Sequence, residues 1–490
     1  MGAEAGRFGV AKTIFFSLII TSLGFVTLDW ISSYLAFPRP SIETPPKSHY
    51  FEFDPILMWR LSPGYRDDKI AISEDGFRCD ERIEAGSGRK LIFVVGGSTV
   101  FGLGSRSDQT VSYFLQRLLD ARPGGERFEV VNAGVTGYYS TQELILAHRK
   151  LIGYAPSVIV ALTGRNDVFY ALHPAYRADA IPYHGQIRSS VGALDPYFTP
   201  GEGREPRMHM MRLMARTLRA VVEEDWAEEW SGPGLRFHPE AVDIFIRNQL
   251  ATRALLKGMG VEYHLFLQPI ISWPPHKQAP QESALPRPAY LDLLTDGYRR
   301  LVEKADGAFD RTWYHGLMAL PENVQEALFI DNVHFSEVGA REAARTIARA
   351  LVGEVGVPWI NFADGPQTMF LGGGWHDLES GYRWTRKQAE AVVRCPSPGR
   401  HGLRFRMSGN AGRVPARLRI TFRGNTVIES DLDAGQEIDL AAGVPSAWAG
   451  SVETLSIELS RTWVPKDLGI NDDPRELGIL VRAFGIEAVD

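Results

Sequence analysis

The sequence predicts an α/β domain built on a parallel sheet, with an all-β sandwich after it and a membrane-spanning helix before it. Three observations predict this. Short apolar runs alternate with amphipathic stretches from Lys90 to about residue 352. Short strand-like runs with turn residues between them fill the chain from about residue 356. A long apolar run stands near the N-terminus.

The apolar run is Thr13 to Phe37, with Asp29 as its one charge. It is long enough to cross a bilayer as a helix, and Trp30 and Tyr34 suit the headgroup belt. Arg7 and Lys12 precede it, which favours a cytoplasmic N-terminus. We read residues 1–12 as a cytoplasmic tail and 13–37 as an uncleaved signal anchor. The rest is then extracytoplasmic, periplasmic or at the cell surface. A cleaved signal peptide is the rival reading. Residues 38–48 are proline-rich and suit a stalk, and 49–88 read as an extended lead-in packed on the next domain.

The α/β domain is expected over 89–355. LIFVV (91–95) is a strand buried on both faces, FEVVNAG (128–134) a second strand and turn, SVIVALTG (157–164) a third and VEYHLFLQP (261–269) a fourth. Helices are expected after Ser107 as cap, over 141–152, over 239–259, within 288–304 and over 336–352. Residues 170–238 break this rhythm and read as an insertion over one rim of the sheet. LRFRMSG, ARLRITFRG, NTVIESDL, ETLSIELSR and LGILVRAFGIE then mark the sandwich, 356–490.

Composition narrows the function. Net charge is −6 and the basic residues are scattered, so no nucleic-acid partner is expected. The two cysteines, Cys79 and Cys395, and the twelve histidines show no metal-ligand spacing, and no metal or cofactor is expected. The cysteines read as thiols, with a disulfide as the alternative.

Four segments carry chemistry. Gly96-Gly97-Ser98-Thr99 joins a strand to a helix, where an open α/β sheet gathers its active groups. Asp331-Asn332-Val333-His334 can set a carboxylate on one imidazole nitrogen and leave the other for a serine hydroxyl. Asn132-Ala133-Gly134-Val135-Thr136-Gly137 and Gly164-Arg165-Asn166-Asp167 end two further strands. An Asn amide and a backbone N–H at glycine are suitable donors to an oxyanion. Each segment alone reads as an ordinary turn.

In this order the four segments resemble the blocks of the SGNH/GDSL hydrolase superfamily, over roughly residues 90–352. The resemblance implies a flavodoxin-like three-layer α/β/α fold and a serine esterase. It implies Ser98 as nucleophile, His334 as base and Asp331 as the residue orienting it. The oxyanion hole it implies is the Ser98 N–H, the Gly137 N–H and the Asn166 side chain. Two features depart from the family pattern: Gly97 stands where Asp is frequent, and Thr99 where Leu is frequent. Arg165 reads as a structural ion-pair partner, or as a contact to an anionic substrate.

The sandwich carries Trp375, Trp384 and Trp463 among Arg and Asp residues. They read as core, or as a sugar-stacking surface if exposed. The expected partner is therefore an acylated small molecule or a cell-envelope glycan. The expected activity is hydrolysis of acyl esters, acetyl esters among them. The alternatives are O-acyl transfer with the same residues, or glycan binding by a vestigial hydrolase.

Overall fold

The computed structural model describes residues 50–178 and 234–488, apart from 55, 80–82, 84–87, 123–125, 175, 277, 322–325, 365–369, 377, 397–399, 409–415 and 433–436. The apolar run 13–37 and most of the stretch 170–238 lie outside these residues. Among the described residues no helix is long and apolar enough to cross a membrane. One compact unit, formed by His49–Ala178 and Arg236–Asp490, holds both the α/β and the β region.

The lead-in forms a hairpin, β1 (Phe51–Asp54) against β2 (Met58–Leu61), antiparallel. Five strands then build the main sheet: β3 (Lys90–Gly96), β4 (Phe128–Asn132), β5 (Val158–Thr163), β6 (Glu262–Leu267) and β7 (Tyr314–Leu317). Their order is β4-β3-β5-β6-β7, and every pairing is parallel. Counted from the first sheet strand this is 2-1-3-4-5, the flavodoxin-like order. The chain reverses its direction of winding between β3 and β5, the point beyond whose carboxyl ends sheets of this order bind their ligands. Ile92, Phe93, Val94, Ile159, Val160 and Ala161 are fully buried, as expected for strands covered on both faces.

Among the described residues the α-helices are α1 (Ser98–Phe101), α2 (Val111–Asp120), α3 (Ser140–Arg149), α4 (Arg165–Tyr170), α5 (Glu240–Gly258), α6 (Pro280–Ser283), α7 (Leu291–Ala308) and α8 (Glu337–Val352). They fall into two packed groups: α2 with α8, and α5 with α3, α4 and α7. Two helical groups about one sheet make three layers.

One cap differs from expectation. Ser107 opens a short 3-10 turn, and α2 is capped by Thr110, whose hydroxyl accepts from the Tyr113 N–H at 3.2 Å. α8, expected to include Ser336, is instead capped by it, the Ser336 hydroxyl accepting from the Gly339 N–H at 3.1 Å. β7 was not expected. It is only four residues long, and Gly316 interrupts its apolar pattern.

The β region has two sheets. One has the order β10-β15-β12-β13, from β10 (Gln388–Arg394), β12 (Ala416–Phe422), β13 (Asn425–Leu432) and β15 (Val452–Leu459). The other has the order β14-β11-β16-β8, from β8 (Trp359–Asn361), β11 (His401–Ser408), β14 (Glu437–Val444) and β16 (Leu480–Ala488), with β9 (Arg383–Trp384) beside β16. Burial alternates along β12 and β15, the mark of a sheet with one covered face. β10 and β14 escaped the sequence reading because both are rich in Ala, Glu and Gln or Gly, weak strand formers.

Candidate active site

Strand β3 ends at Gly96, and Gly97 caps the short helix α1 that begins with Ser98. A Cβ on Gly96 would lie 2.4 Å from the Leu162 carbonyl oxygen, and φ is +157° there. A Cβ on Gly97 would lie 2.5 Å from Asn166 Nδ2. The two glycines thus let the β3–α1 turn press against β5 and the Asn166 amide.

The Ser98 hydroxyl lies 2.7 Å from His334 Nε2, across 236 residues of sequence. His334 Nδ1 lies 2.6 Å from Asp331 Oδ2. The other oxygen of Asp331 accepts the N–H groups of Val333 and His334, each at 2.8 Å. Asp331 therefore shapes its own loop and orients the imidazole in the same act. Burial pushes its carboxyl up, but the His334 ring and the two N–H groups outweigh that and hold it below the usual range.

The donors sit beside this series. Asn166 Nδ2 gives one N–H to the Tyr138 carbonyl at 2.8 Å, and its second N–H remains for another acceptor. Residues 135–138 form a turn closed by the Tyr138 N–H on the Val135 carbonyl at 3.0 Å. Gly137 is its third residue with φ +82°, the place where such a turn calls for glycine. Among the described residues neither the Ser98 nor the Gly137 N–H has a backbone acceptor. The structure thus brings Ser98, Asp331 and His334 into one hydrogen-bonded series, with Asn166 against residue 97 and Gly137 next to Asn166's partner.

Arg165 meets the site through the neighbouring amide. Its Nη1 donates to Asn166 Oδ1 at 3.0 Å, and its guanidinium lies 4.0 Å from the Phe169 ring centre.

Other contacts of the site were not foreseen. The Thr99 hydroxyl donates to the Val333 carbonyl at 3.2 Å, and Gln268 Nε2 donates to the same oxygen at 3.2 Å. A leucine at position 99 would lack that tie to the residue before His334. From the lead-in, Trp59 donates its indole N–H to the Thr136 carbonyl at 2.9 Å, and the Trp59 carbonyl accepts the Tyr138 hydroxyl at 2.6 Å. Buried Arg78 donates to the carbonyls of Phe101 and Gly102, at the far end of α1, and to that of Ser105 at 2.6 Å. Burial lowers its pKa to about 10. The lead-in is thus part of the site's frame. Glu282 on α6 accepts the N–H groups of Leu328 and Phe329 at 2.7 and 2.9 Å, bracing the segment that enters the His334 loop.

Beneath Asn166, Asp167 accepts from Ser140 and Glu143 accepts the Thr163 hydroxyl at 2.7 Å. Burial pushes Glu143 up to about 8, helped by the charge of Asp167, and burial pushes Asp167 up to about 7. His264 and His315, which showed no partner spacing, stack with ring nitrogens 2.9 Å apart. Among the described residues no group of three His, Cys, Asp or Glu side chains is placed to hold a metal ion. No disulfide joins Cys79 and Cys395.

In the β region Trp375, Trp384 and Trp463 are buried. Trp384 and Trp463 pack with Leu477, and Trp375 stacks on Phe484 at 5.6 Å. They are core residues, so these three rings offer no exposed sugar-stacking face.

No protein-family model matches the chain, and no curated protein matches it. Solved structures do align with it. A lipolytic protein of the G-D-S-L family from Desulfitobacterium hafniense DCB-2 is 11% identical, over 54% of this chain and all of that one, with a TM-score of 0.28. Axe2, an acetylxylan esterase from Geobacillus stearothermophilus, is 16% identical over 56% of this chain and 98% of its own, at 0.29. A two-domain esterase active on acetylated mannans is 12% identical over 83% and 93%, at 0.24. These likenesses are too distant to argue from, and the functional reading rests on the geometry of the site.

Proposed function

We propose that the chain is a serine esterase of the SGNH/GDSL type, with Ser98 as nucleophile. The observation that carries the reading is the series Ser98 Oγ, His334 and Asp331, linked at 2.7 and 2.6 Å, with Ser98 just past the carboxyl end of β3. Asp331 accepts from Nδ1, so Nε2 is free to take the serine proton. Ser98 Oγ then adds to an ester carbonyl. The negative charge that develops on its oxygen is met by the second N–H of Asn166 and the N–H groups of Ser98 and Gly137. His334 returns the proton to the leaving alcohol, and water, activated by the same imidazole, releases the acyl group from Ser98.

We place the substrate among acylated small molecules or glycans, and the domain outside the cytoplasm. The support for the second point is the apolar run Thr13 to Phe37. A panel of chromogenic acyl esters, assayed with the full chain and its Ser98→Ala variant, tests the activity. Turnover of short acyl esters by the wild type alone is expected, and equal turnover by both would overturn the reading. An acetylated oligosaccharide in the panel reports on the substrate class. Acetyl transfer to an added sugar, in place of release, would make the acceptor a hydroxyl while leaving Ser98 as nucleophile.

A further inference from the structure

We propose that Arg165 is a positioning residue that locks and polarises the oxyanion amide of Asn166. This rests on the esterase reading above. A carboxamide can be turned about its last bond to exchange oxygen and nitrogen, and a turned Asn166 would aim a carbonyl lone pair at the developing oxyanion. Two neighbours forbid it. The Tyr138 carbonyl can only accept, and it takes Nδ2 at 2.8 Å. The Arg165 guanidinium can only donate, and it reaches Oδ1 at 3.0 Å. The two together admit one orientation, with the second N–H of Nδ2 left for the substrate.

Arg165 is itself held. Its guanidinium lies over the Phe169 face at 4.0 Å, one helical turn on along α4. Phe169 in turn meets Tyr290 edge-on at 5.3 Å. The cation also drains electron density from Oδ1, which makes the opposite N–H a better donor in a site where Asn166 is buried. The charge acts through the amide, so its benefit grows with the charge on the oxyanion. It is felt in the transition state more than in substrate binding.

The test is a mutant cycle on the full chain, with kcat and KM measured on a neutral acetate ester and on an ester bearing a carboxylate, and thermal midpoints recorded alongside. Arg165→Ala is expected to lower kcat by about 10- to 100-fold, within the range for weakening one oxyanion donor, with KM little changed on either ester. Arg165→Lys, which keeps a charged donor, is expected to recover part of the loss. It also carries the test if Arg165→Ala does not fold. In an Asn166→Ala background the arginine has nothing to position, so adding either Arg165 substitution should cost little more.

Full multiplication of the two losses would overturn the positioning role while leaving the oxyanion reading intact. A KM rise confined to the carboxylate ester, with kcat intact, would also overturn it and make Arg165 a substrate contact. Wild-type kcat in Asn166→Ala would remove the oxyanion reading and this proposal together.

Discussion

Replacing Asp331 by Asn is the sharpest perturbation the site offers, because the structure decides in advance which way the new amide must face. One Asp331 oxygen accepts two backbone N–H groups, from Val333 and His334, each at 2.8 Å. An amide NH2 cannot accept them, so the Asn oxygen must take that place. Its NH2 then lies where Oδ2 was, 2.6 Å from His334 Nδ1. Nδ1 is forced to accept, and the ring proton moves to Nε2, facing the Ser98 hydroxyl. The imidazole then has no lone pair for the serine proton. A wrong tautomer of this kind costs about 10⁴-fold in kcat, or about 5.5 kcal/mol of barrier. The loop keeps both backbone bonds, so the thermal midpoint should stay near that of wild type. Steady-state turnover of a chromogenic acetate ester, beside a melting curve, reads both quantities. A loss under about 10-fold in a folded Asp331→Asn protein would refute the assigned relay.

Other outcomes follow from the same contacts. Asn166→Ala should raise the barrier by about 3 kcal/mol, read as kcat at unchanged KM, and an unaltered kcat would remove that donor. Thr99→Val strips a hydrogen bond of about 1 kcal/mol from the Val333 carbonyl, so turnover should fall several-fold, and full activity would make the tie incidental. Glu143 and Asp167 are pushed up to about 8 and 7 by burial, so they bind protons more tightly folded than unfolded. The stability they contribute is complete below their unfolded values and is lost as pH rises through 7 to 8. The thermal midpoint should therefore fall between about pH 5 and 8, and a Glu143→Gln variant with an unchanged slope would contradict this. For the apolar run, a reporter fused after Phe37 that is active only outside the cytoplasm should be active, and activity of a cytoplasm-only reporter there would reverse the orientation.

Much of the α/β region was legible because its signals are local. LIFVV and SVIVALTG are buried on both faces and read as such, and Ser98, Asn166 and His334 stand at strand or loop ends where a parallel sheet collects its chemistry. What was not legible depends on contacts between distant residues. The Thr99–Val333 bond spans 234 residues. Trp59 and Arg78 read as part of an irregular lead-in, yet their partners are carbonyls of the Gly137 turn and the α1 end, which no side-chain motif records. The Arg165 bond to the Asn166 oxygen was hidden for another reason: a charged residue suggests a charged partner before it suggests a neutral amide. The tryptophans of the β region were ambiguous because a core Trp and a sugar-stacking Trp share the same alternating strand context.

The central claim is that Ser98 is an activated nucleophile, and a fluorophosphonate probe followed by peptide mapping tests it most directly. One adduct is expected, on Ser98, absent from Ser98→Ala and much slowed in His334→Ala. Labelling of Ser98→Ala as strong as that of the wild type would contradict it.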